Sequence, residues 1–438
     1  MTSGQADDGR PTGETGGGLT PDSQPIRVTT LELFFDLIFA FTLTQLAVVL
    51  QHGMTDGRPL GQYVLRVLLI FGLLWWMYGG YAWLTNTRSP VRSPERLLLV
   101  LGMTGFLIAG LAIPAGFGRD GVAFGLGYLL VVLVHAVLYA RVNKHILRIA
   151  PFNVASALLV IGAGSTDGVL TYLLWGAALV IQALSPLIVR LGGRFEIGPA
   201  HFAERHGALV IVAIGESVAA IGIGAIGKPV GKQLVLASVL GLALSVTFWW
   251  MYFGSGDDDL GQRAMQAASA TRRPGLALSA YFYAHMPMLL GIVFAAAGVA
   301  EAVGHGLDSS LRAALVLGVG AAAFTGGSAA FRAALLTGPT RLRLAATAFA
   351  LATVPVGALA AIEAQLGLLT AGLVGMLAIE AVTGGERATR PEASGRPGGP
   401  EAGGRPGGAE VSDRPGGSEA SGLPGGPDAA GAGQAAGE

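Results

Sequence analysis

The sequence predicts an all-α protein, a polytopic transmembrane helical bundle of about twelve spans arranged as two parallel six-helix repeats. The composition, the spacing of apolar runs and an internal repeat lead to this prediction. Of the 438 residues, 52% are hydrophobic and only 13% are charged, whereas soluble domains average about 25% charged residues. Apolar runs of about 20 residues, long enough to cross a bilayer as a helix, recur along most of the chain.

The two ends of the chain differ from the region between them. Residues 1–26 are rich in Gly, Asp and Thr and predict a disordered tail without the apolar segment of a cleavable signal peptide. Residues 384–438 are rich in Gly and Pro, with Arg-Pro-Gly-Gly recurring every nine residues, and predict a disordered, flexible tail. The first repeat is assigned to residues 27–190 and the second to residues 191–383.

The twelve predicted spans are each close to the length that a bilayer core requires. The fifth is the weakest, because it contains Pro151 and Asn153, and only Glu363 and Gln365 mark the division between the last two. The spans lie near residues 29–50, 63–84, 96–116, 120–141, 146–164, 168–190, 199–222, 232–253, 276–298, 311–333, 341–361 and 366–383.

The positive charges of the connecting loops alternate along the chain. Every second loop is rich in Arg and Lys, thirteen in all, whereas the opposite loops carry five. Because cytoplasmic loops are enriched in these residues, the asymmetry predicts that both termini lie in the cytoplasm. The thirteen are Arg88, Arg92, Arg96, Arg141, Lys144, Arg148, Arg190, Arg194, Arg263, Arg272, Arg273, Arg341 and Arg343.

The internal repeat is visible in the first two helices of each half. The Trp-Trp-Met-Tyr segment at residues 75–78 recurs at 249–252, an offset of 174 residues. At an offset of 172, Glu32 aligns with Glu204, and the pair at 44–45 aligns with the pair at 216–217. Six spans per half give the halves the same orientation, so a site is expected near the interface between the repeats.

Two carboxylates, Glu32 and Asp36, lie one helical turn apart in the first span. Thr29-x-x-Glu32 has the pattern of a capping box, so a purely structural role is an equal alternative for Glu32. Asp36 lies deeper, among large apolar residues, where an ionisable side chain is typical of a functional site. The alternative for Asp36 is a structural ion pair with Arg27 or Arg205.

The seventh span carries a second set of ionisable residues. His201, Glu204 and Arg205 are predicted to share a face, and Glu216 lies about 17 Å further along the same side. A polar stripe of this kind is typical of a proton or ion relay. The alternative is a cluster at headgroup level, which is favoured for His206.

The remaining candidates are Gln45, Ser217 and His285. The first two are included because they fall at aligned positions of the repeat, in the two helices that carry the carboxylates. His285 lies near the middle of the ninth span, two residues before Pro287, where a broken helix could border a polar cavity. A neutral His hydrogen-bonded to another helix is an equal alternative.

Several classes of function are disfavoured. The chain has no Cys, no His-Glu-x-x-His segment and no nucleotide-binding loop of the Walker type, so no metal and no cofactor are predicted. Its 28 basic and 28 acidic residues balance, which argues against a nucleic-acid partner. The predicted partners are the lipid bilayer, an unidentified small solute or ion, and a second copy of the chain in a homo-oligomer.

Three pairs of segments resemble the bacterial low temperature requirement protein A family. The resemblance implies a multi-pass membrane protein linked by name to growth in the cold, but it does not imply a reaction. A looser similarity at residues 34–36 is to the Phe-Ser-Asp triplet of two-repeat potassium channels, from which Phe34-Phe35-Asp36 differs at the serine. The family pairs are 32–39 with 44–46, 201–207 with 215–218, and 283–287 with 291–292.

The leading hypothesis is a proton- or ion-coupled transporter with a polar pathway between the first and seventh helices. Asp36 and Glu216 would be the coupling carboxylates, Arg205 their counter-ion and His285 a proton or ligand group at the midplane. An ion channel, a membrane enzyme or lipid-acting factor in cold or stress adaptation, and a non-transporting sensor are the alternatives. Enzyme activity is disfavoured, since only His201, Glu204 and His206 lie near the headgroups.

Overall fold

The structure, a computed structural model, describes residues 28–87, 92–142, 147–189, 197–305 and 307–388. These residues form helices and no β-strand, as the sequence predicts. The N-terminal tail, the C-terminal tail beyond residue 388, Arg27 and several loop charges lie outside the described residues. Residues 384–388, which the sequence assigned to the disordered tail, continue the last helix. In chain order the helices are α1 Thr30–Thr55, α2 Leu60–Thr87, α3 Ser93–Ala112, α4 Gly121–Ala140, α5 Ala150–Ala163, α6 Val169–Val189, α7 Pro199–Ala225, α8 Lys232–Trp249, α9 Asp257–Ala267, α10 Arg273–Leu276, α11 His285–His305, α12 Leu311–Leu335, α13 Arg341–Ala352, α14 Val354–Leu359 and α15 Ile362–Ala388.

Within the described ranges, eleven helical segments are long and apolar enough to cross a membrane. The fifth predicted span is the exception, because α5 has only 14 residues. Pro151 lies in its first turn and Gly164 follows its last residue, so the helix spans about 21 Å. With α5 included, the helical segments correspond to the twelve predicted spans.

Two π-helical segments interrupt the second half of the bundle. One, Trp250–Gly254, follows α8, and the other, Ala277–Ala284, connects α10 with α11. π-Helical turns are rare and occur often at functional sites. The second segment ends three residues before Pro287, whose missing N–H prevents a regular backbone hydrogen bond at that point.

Helix α1 lies at the centre of the bundle. It packs against α2 and α3 of its own half and against α7 and α11 of the other half. The α3–α4 pair of the first half has a counterpart in the α11–α12 pair of the second. These neighbours fit the predicted duplication, although the symmetry of the two halves stays a prediction.

Within each of these two pairs, the two helices approach each other at glycines. A Cβ atom on Gly105 would lie 2.8 Å from the carbonyl oxygen of Gly127, and one on Gly291 would lie 2.5 Å from the backbone nitrogen of Phe324. Small residues that let backbones come this close are typical of helix contacts in membranes. The glycines therefore fix the distances between α3 and α4 and between α11 and α12.

Replacing Gly291 by alanine is expected to lower the free energy of unfolding by about 1–3 kcal/mol, because the new methyl group meets backbone atoms that cannot rotate away. Gly215 in α7 is the matched control, since a Cβ there has no neighbour within 4 Å. Gly215→Ala should change stability by less than about 0.5 kcal/mol. Thermal unfolding of both purified variants in detergent measures the difference, and equal stabilities would contradict the assigned packing.

The outer surface of the bundle is apolar. Large side chains such as Leu97, Leu173 and Ile188 are each more than 60% exposed. Soluble monomers rarely expose extended apolar surface. This exposure fits a protein whose outer surface contacts lipid.

Candidate functional site

The N-terminus of α1 contributes the first carboxylate. Glu32 accepts hydrogen bonds from the backbone N–H of Thr29, at 2.8 Å, and from its hydroxyl, at 2.9 Å. The Thr29 hydroxyl in turn accepts from the backbone N–H of Glu32, which completes the predicted capping box. Glu32 is also fully buried, and its Oε1 lies 3.1 Å from His201 Nε2 and 3.5 Å from Arg205 Nη1. The residue therefore both caps α1 and joins α1 to α7.

One turn deeper, Asp36 is fully buried and paired with Arg205. Its Oδ1 accepts hydrogen bonds from Arg205 Nε and Nη2, both at 3.2 Å, and from the Tyr78 hydroxyl at 3.0 Å. Arg205 also donates to the hydroxyl of Thr85. The other carboxylate oxygen, Oδ2, is buried and has no hydrogen-bond partner among the described residues. We call Glu32, Asp36, His201 and Arg205 the α1–α7 ion cluster.

Asn86 determines which nitrogen of His201 carries a hydrogen. Its amide exchanges two hydrogen bonds with Gly198, accepting from the backbone N–H at 2.9 Å and donating to the carbonyl at 3.0 Å. Because these contacts fix the orientation of the amide, its second N–H is directed at His201 Nδ1, 3.1 Å away. Nδ1 therefore accepts, and Nε2 carries the hydrogen that faces Glu32. In this arrangement His201 is a neutral imidazole.

Glu216 lies apart from the ion cluster. It is half-buried and accepts a hydrogen bond of 2.5 Å from the Thr44 hydroxyl, which joins two residues that the repeat aligns at an offset of 172. A small cavity of about 10 Å³ adjoins both residues and also Gln51, whose side-chain nitrogen is buried without a hydrogen-bond partner. We call Thr44, Gln51 and Glu216 the Glu216 station.

An apolar interval separates the Glu216 station from the ion cluster. Asp36 and Thr44 are eight residues apart, or about 12 Å along α1. On the facing sides of α1 and α7, this interval is occupied by Ala40, Leu209 and Ala213, all buried. The continuous polar stripe predicted from the sequence is therefore interrupted, and Asp36 and Glu216 do not contact each other.

The other predicted residues on α1 and α7 occupy different surroundings. Ser217 is buried and hydrogen-bonds Ser245 of α8 at 2.8 Å, so it links two helices. Gln45 is half-buried, next to Thr44. Glu204 is exposed and borders a surface depression with Asp258, so it does not share the buried face of His201 and Arg205. Adjacent residues of a helix point about 100° apart, which is why Arg205 faces α1 and Glu204 does not.

His285 is fully buried where the two π-helical segments meet. Its Nδ1 lies 2.9 Å from the carbonyl oxygen of Ala280, and its Nε2 lies 3.0 Å from the Tyr252 hydroxyl. The carbonyl can only accept, so Nδ1 carries a hydrogen, and in a neutral ring Nε2 then accepts from the Tyr252 hydroxyl. The predicted alternative, a neutral His bonded to another helix, describes this geometry.

His206 was expected in a cluster at headgroup level, and the structure buries it inside the bundle. Its side chain is 1% exposed and its ring lies 5.3–5.4 Å from the rings of Tyr281 and His285. The reason is that α7 already begins at Pro199, so His206 lies two turns inside the bundle and faces the aromatic side chains of the second π-helical segment.

Sequence reasoning missed a second buried ion cluster, which joins α9, α12, α13 and α15. Arg332 binds Asp257 at 2.8 Å and Glu380 at 2.9 Å. Arg343 binds both oxygens of Glu380 at 2.9 Å and donates to Ser328 at 2.9 Å. Arg343 was counted among the loop charges, but its side chain is fully buried. Arg332 and Glu380 lie inside predicted spans. Because ionisable residues within spans usually pair with one another, their positions could have indicated this cluster.

The fold and the site define a class of protein, a polytopic α-helical membrane protein with a buried ion cluster between its first and seventh helices. Among the described residues, no three metal-ligating side chains are grouped for a metal ion. The chain belongs to the bacterial low temperature requirement A protein (LtrA) family, whose sequence profile matches residues 27–379. This range covers the helical bundle almost completely, as the resemblance in the sequence predicted.

A relative is known from Rhizobium meliloti (strain 1021). This uncharacterised protein is 30% identical over 291 residues, a region that covers 63% of the present chain and 69% of the relative. The similarity supports the family assignment and assigns no activity.

Proposed function

We propose that this protein is a proton- or ion-coupled transporter of the bacterial plasma membrane, with both termini in the cytoplasm and a small solute as its cargo. The observation that carries the proposal is the charge of the α1–α7 ion cluster. It holds two carboxylates, Glu32 and Asp36, and one guanidinium, that of Arg205, while Asn86 holds His201 as a neutral imidazole. With both carboxylates ionised, one negative charge is left without a partner among the described residues.

An uncompensated charge at a fully buried position is costly, so this cluster favours the binding of one proton or one monovalent cation. Two oxygens of the cluster, Glu32 Oε1 and Asp36 Oδ2, are available to it, because both are buried and have no hydrogen-bond partner among the described residues. The second ion cluster provides a comparison within the same chain. There, Arg332 and Arg343 balance Asp257 and Glu380, which is what a purely structural cluster requires.

The separation of the ion cluster from the Glu216 station supports a transporter over an open channel. A channel needs a continuous polar path, whereas Ala40, Leu209 and Ala213 fill the interval in this conformation. A transporter opens its binding positions to the two sides in turn. The two alanines present only small side chains at the α1–α7 contact, which suits a contact that changes during such a cycle.

Replacing Glu216 by glutamine tests the proposed role of Glu216 as a coupling carboxylate. We expect ion-coupled flux to fall to the level of protein-free liposomes and its pH dependence to disappear, because the amide cannot exchange a proton. Proteoliposomes containing a pH-sensitive dye, exposed to proton, Na⁺ or K⁺ gradients, measure the flux. Glu204→Gln is the matched control, since it removes an exposed carboxylate of the same helix. Wild-type flux with an unchanged pH profile in Glu216→Gln would exclude the proposed role.

A further inference from the structure

A groove on the membrane-facing side of the bundle lies between α8 and α15, and no residue of α1 or α7 borders it. It has a volume of about 460 Å³ and is bordered by Lys232, Leu236, Leu240, Leu307 and Glu363. Lys232 begins α8 and Glu363 lies in the first turn of α15, so both charged residues are at the same end of the bundle. The polar end of the groove is therefore at the level of the lipid headgroups.

Below these charges the groove becomes apolar. Leu236 and Leu240 lie one and two turns further along α8, about 6 and 12 Å from Lys232. Leu236 is 52% exposed, and Leu307 at the mouth is 67% exposed. Helix α15 approaches Leu240 at Gly367, where a Cβ would lie 3.7 Å from the leucine side chain, and so closes the floor of the groove. A long apolar chain fits this part.

Glu363 points to the chemistry of the ligand. The side chain lines the groove, yet the residue is only 7% exposed and its Oε1 is buried without a hydrogen-bond partner. A position in the first turn of a helix favours its negative charge but supplies no donor to that oxygen. Lys232 and Glu363, both within the described part of the chain, form no ion pair with each other, so each is available to a separate group.

We propose that this groove binds an aminophospholipid of the phosphatidylethanolamine type. The ammonium group would donate to Glu363 Oε1, the phosphate would face the ammonium of Lys232, and one acyl chain would lie along Leu236 and Leu240. An anionic lipid without an amine meets the repulsion of Glu363 and leaves its buried oxygen without a donor. The bilayer supplies this ligand at the height and in the orientation that the groove requires.

Native mass spectrometry of the purified full chain tests the site, with phosphatidylethanolamine and phosphatidylglycerol of identical acyl chains as the probes. We expect phosphatidylethanolamine to bind about tenfold more tightly, the difference made by one hydrogen-bonded charge. Glu363→Gln should abolish this preference. Lys232→Gln should weaken both lipids alike, because both carry the phosphate.

Two further variants test whether the lipid occupies the apolar part of the groove and control for general surface charge. Leu240→Trp fills the groove without changing its charges and should weaken both lipids, whereas Asp308→Asn removes an exposed carboxylate near the same end of the bundle and should change neither. Equal affinities of the wild-type protein for the two lipids, or a preference that survives in Glu363→Gln, would overturn the proposal. The measurement requires no flux, so its outcome is independent of the proposed transport.

Discussion

Replacing Arg205 by methionine is expected to lower the free energy of unfolding by about 3–5 kcal/mol, one of the two largest effects predicted for this protein. The substitution keeps much of the apolar volume of the side chain. It leaves the buried carboxylates of Glu32 and Asp36 without a positively charged partner among the described residues. It also removes the two Arg205 donors to Asp36 Oδ1, which leaves only the Tyr78 hydroxyl there, and the donor to the Thr85 hydroxyl. Thermal or denaturant unfolding in detergent, followed by circular dichroism, measures the loss.

Neutralising the carboxylates in the same chain distinguishes this explanation from lost packing. The triple variant Glu32→Gln, Asp36→Asn, Arg205→Met should recover most of the stability, because no buried charge then lacks a partner. Glu204→Gln, at the exposed neighbouring position, should change stability by less than about 0.5 kcal/mol. An Arg205→Met protein as stable as the wild type would show that the pair does not hold α1 to α7.

The second large effect is expected at Arg343, where methionine should also cost about 3–5 kcal/mol of unfolding free energy. Arg343 is fully buried and donates to Glu380, to Ser328 and to the carbonyl oxygen of Met251. Without it, Arg332 alone must balance Asp257 and Glu380. The junction of α13 with α12 and α15 loses its central contact, and unfolding in detergent again provides the measurement.

Arg341 supplies the matched control, because it begins the same helix and is exposed. Arg341→Gln should leave the unfolding transition unchanged within about 0.5 kcal/mol. Adding Glu380→Gln to Arg343→Met restores a balanced pair of Arg332 and Asp257, so part of the loss should return. If the double variant were less stable than Arg343→Met alone, the charge-balance argument would be wrong for this cluster.

The two ion clusters have different consequences for function. The cluster at α9, α12, α13 and α15 is neutral in sum, so its role is to hold helix ends together. The α1–α7 ion cluster has one carboxylate charge in excess and two carboxylate oxygens without a hydrogen-bond donor among the described residues. The stability variants at Arg205 and the flux variant at Glu216 therefore test different properties, the first the attachment of α1 to α7 and the second the proposed movement of ions between them.

The sequence by itself determined the class of protein, the positions of eleven membrane-length helical segments and the start of α1. Hydropathy is a local property, and a chain in lipid must satisfy its backbone hydrogen bonds within each helix, so apolar runs of the right length predict spans well. The capping box at Thr29 and Glu32 could also be predicted, because its two partners are only three residues apart and the pattern is local. Among the predicted spans, only α5 is too short to count as a membrane-length helix.

Only the tertiary structure decided which side chains meet. The rotation of each helix about its axis is set by packing against its neighbours, and glycines such as Gly291 set how close those neighbours come. That rotation buries Arg205 beside Asp36, leaves adjacent Glu204 exposed and interrupts the stripe between Asp36 and Glu216. It also brings Arg343 to Glu380. Pairings between distant helices depend on contacts that local sequence patterns do not encode. The sequence therefore named Arg205 only as one alternative partner of Asp36, and the fold established the pair.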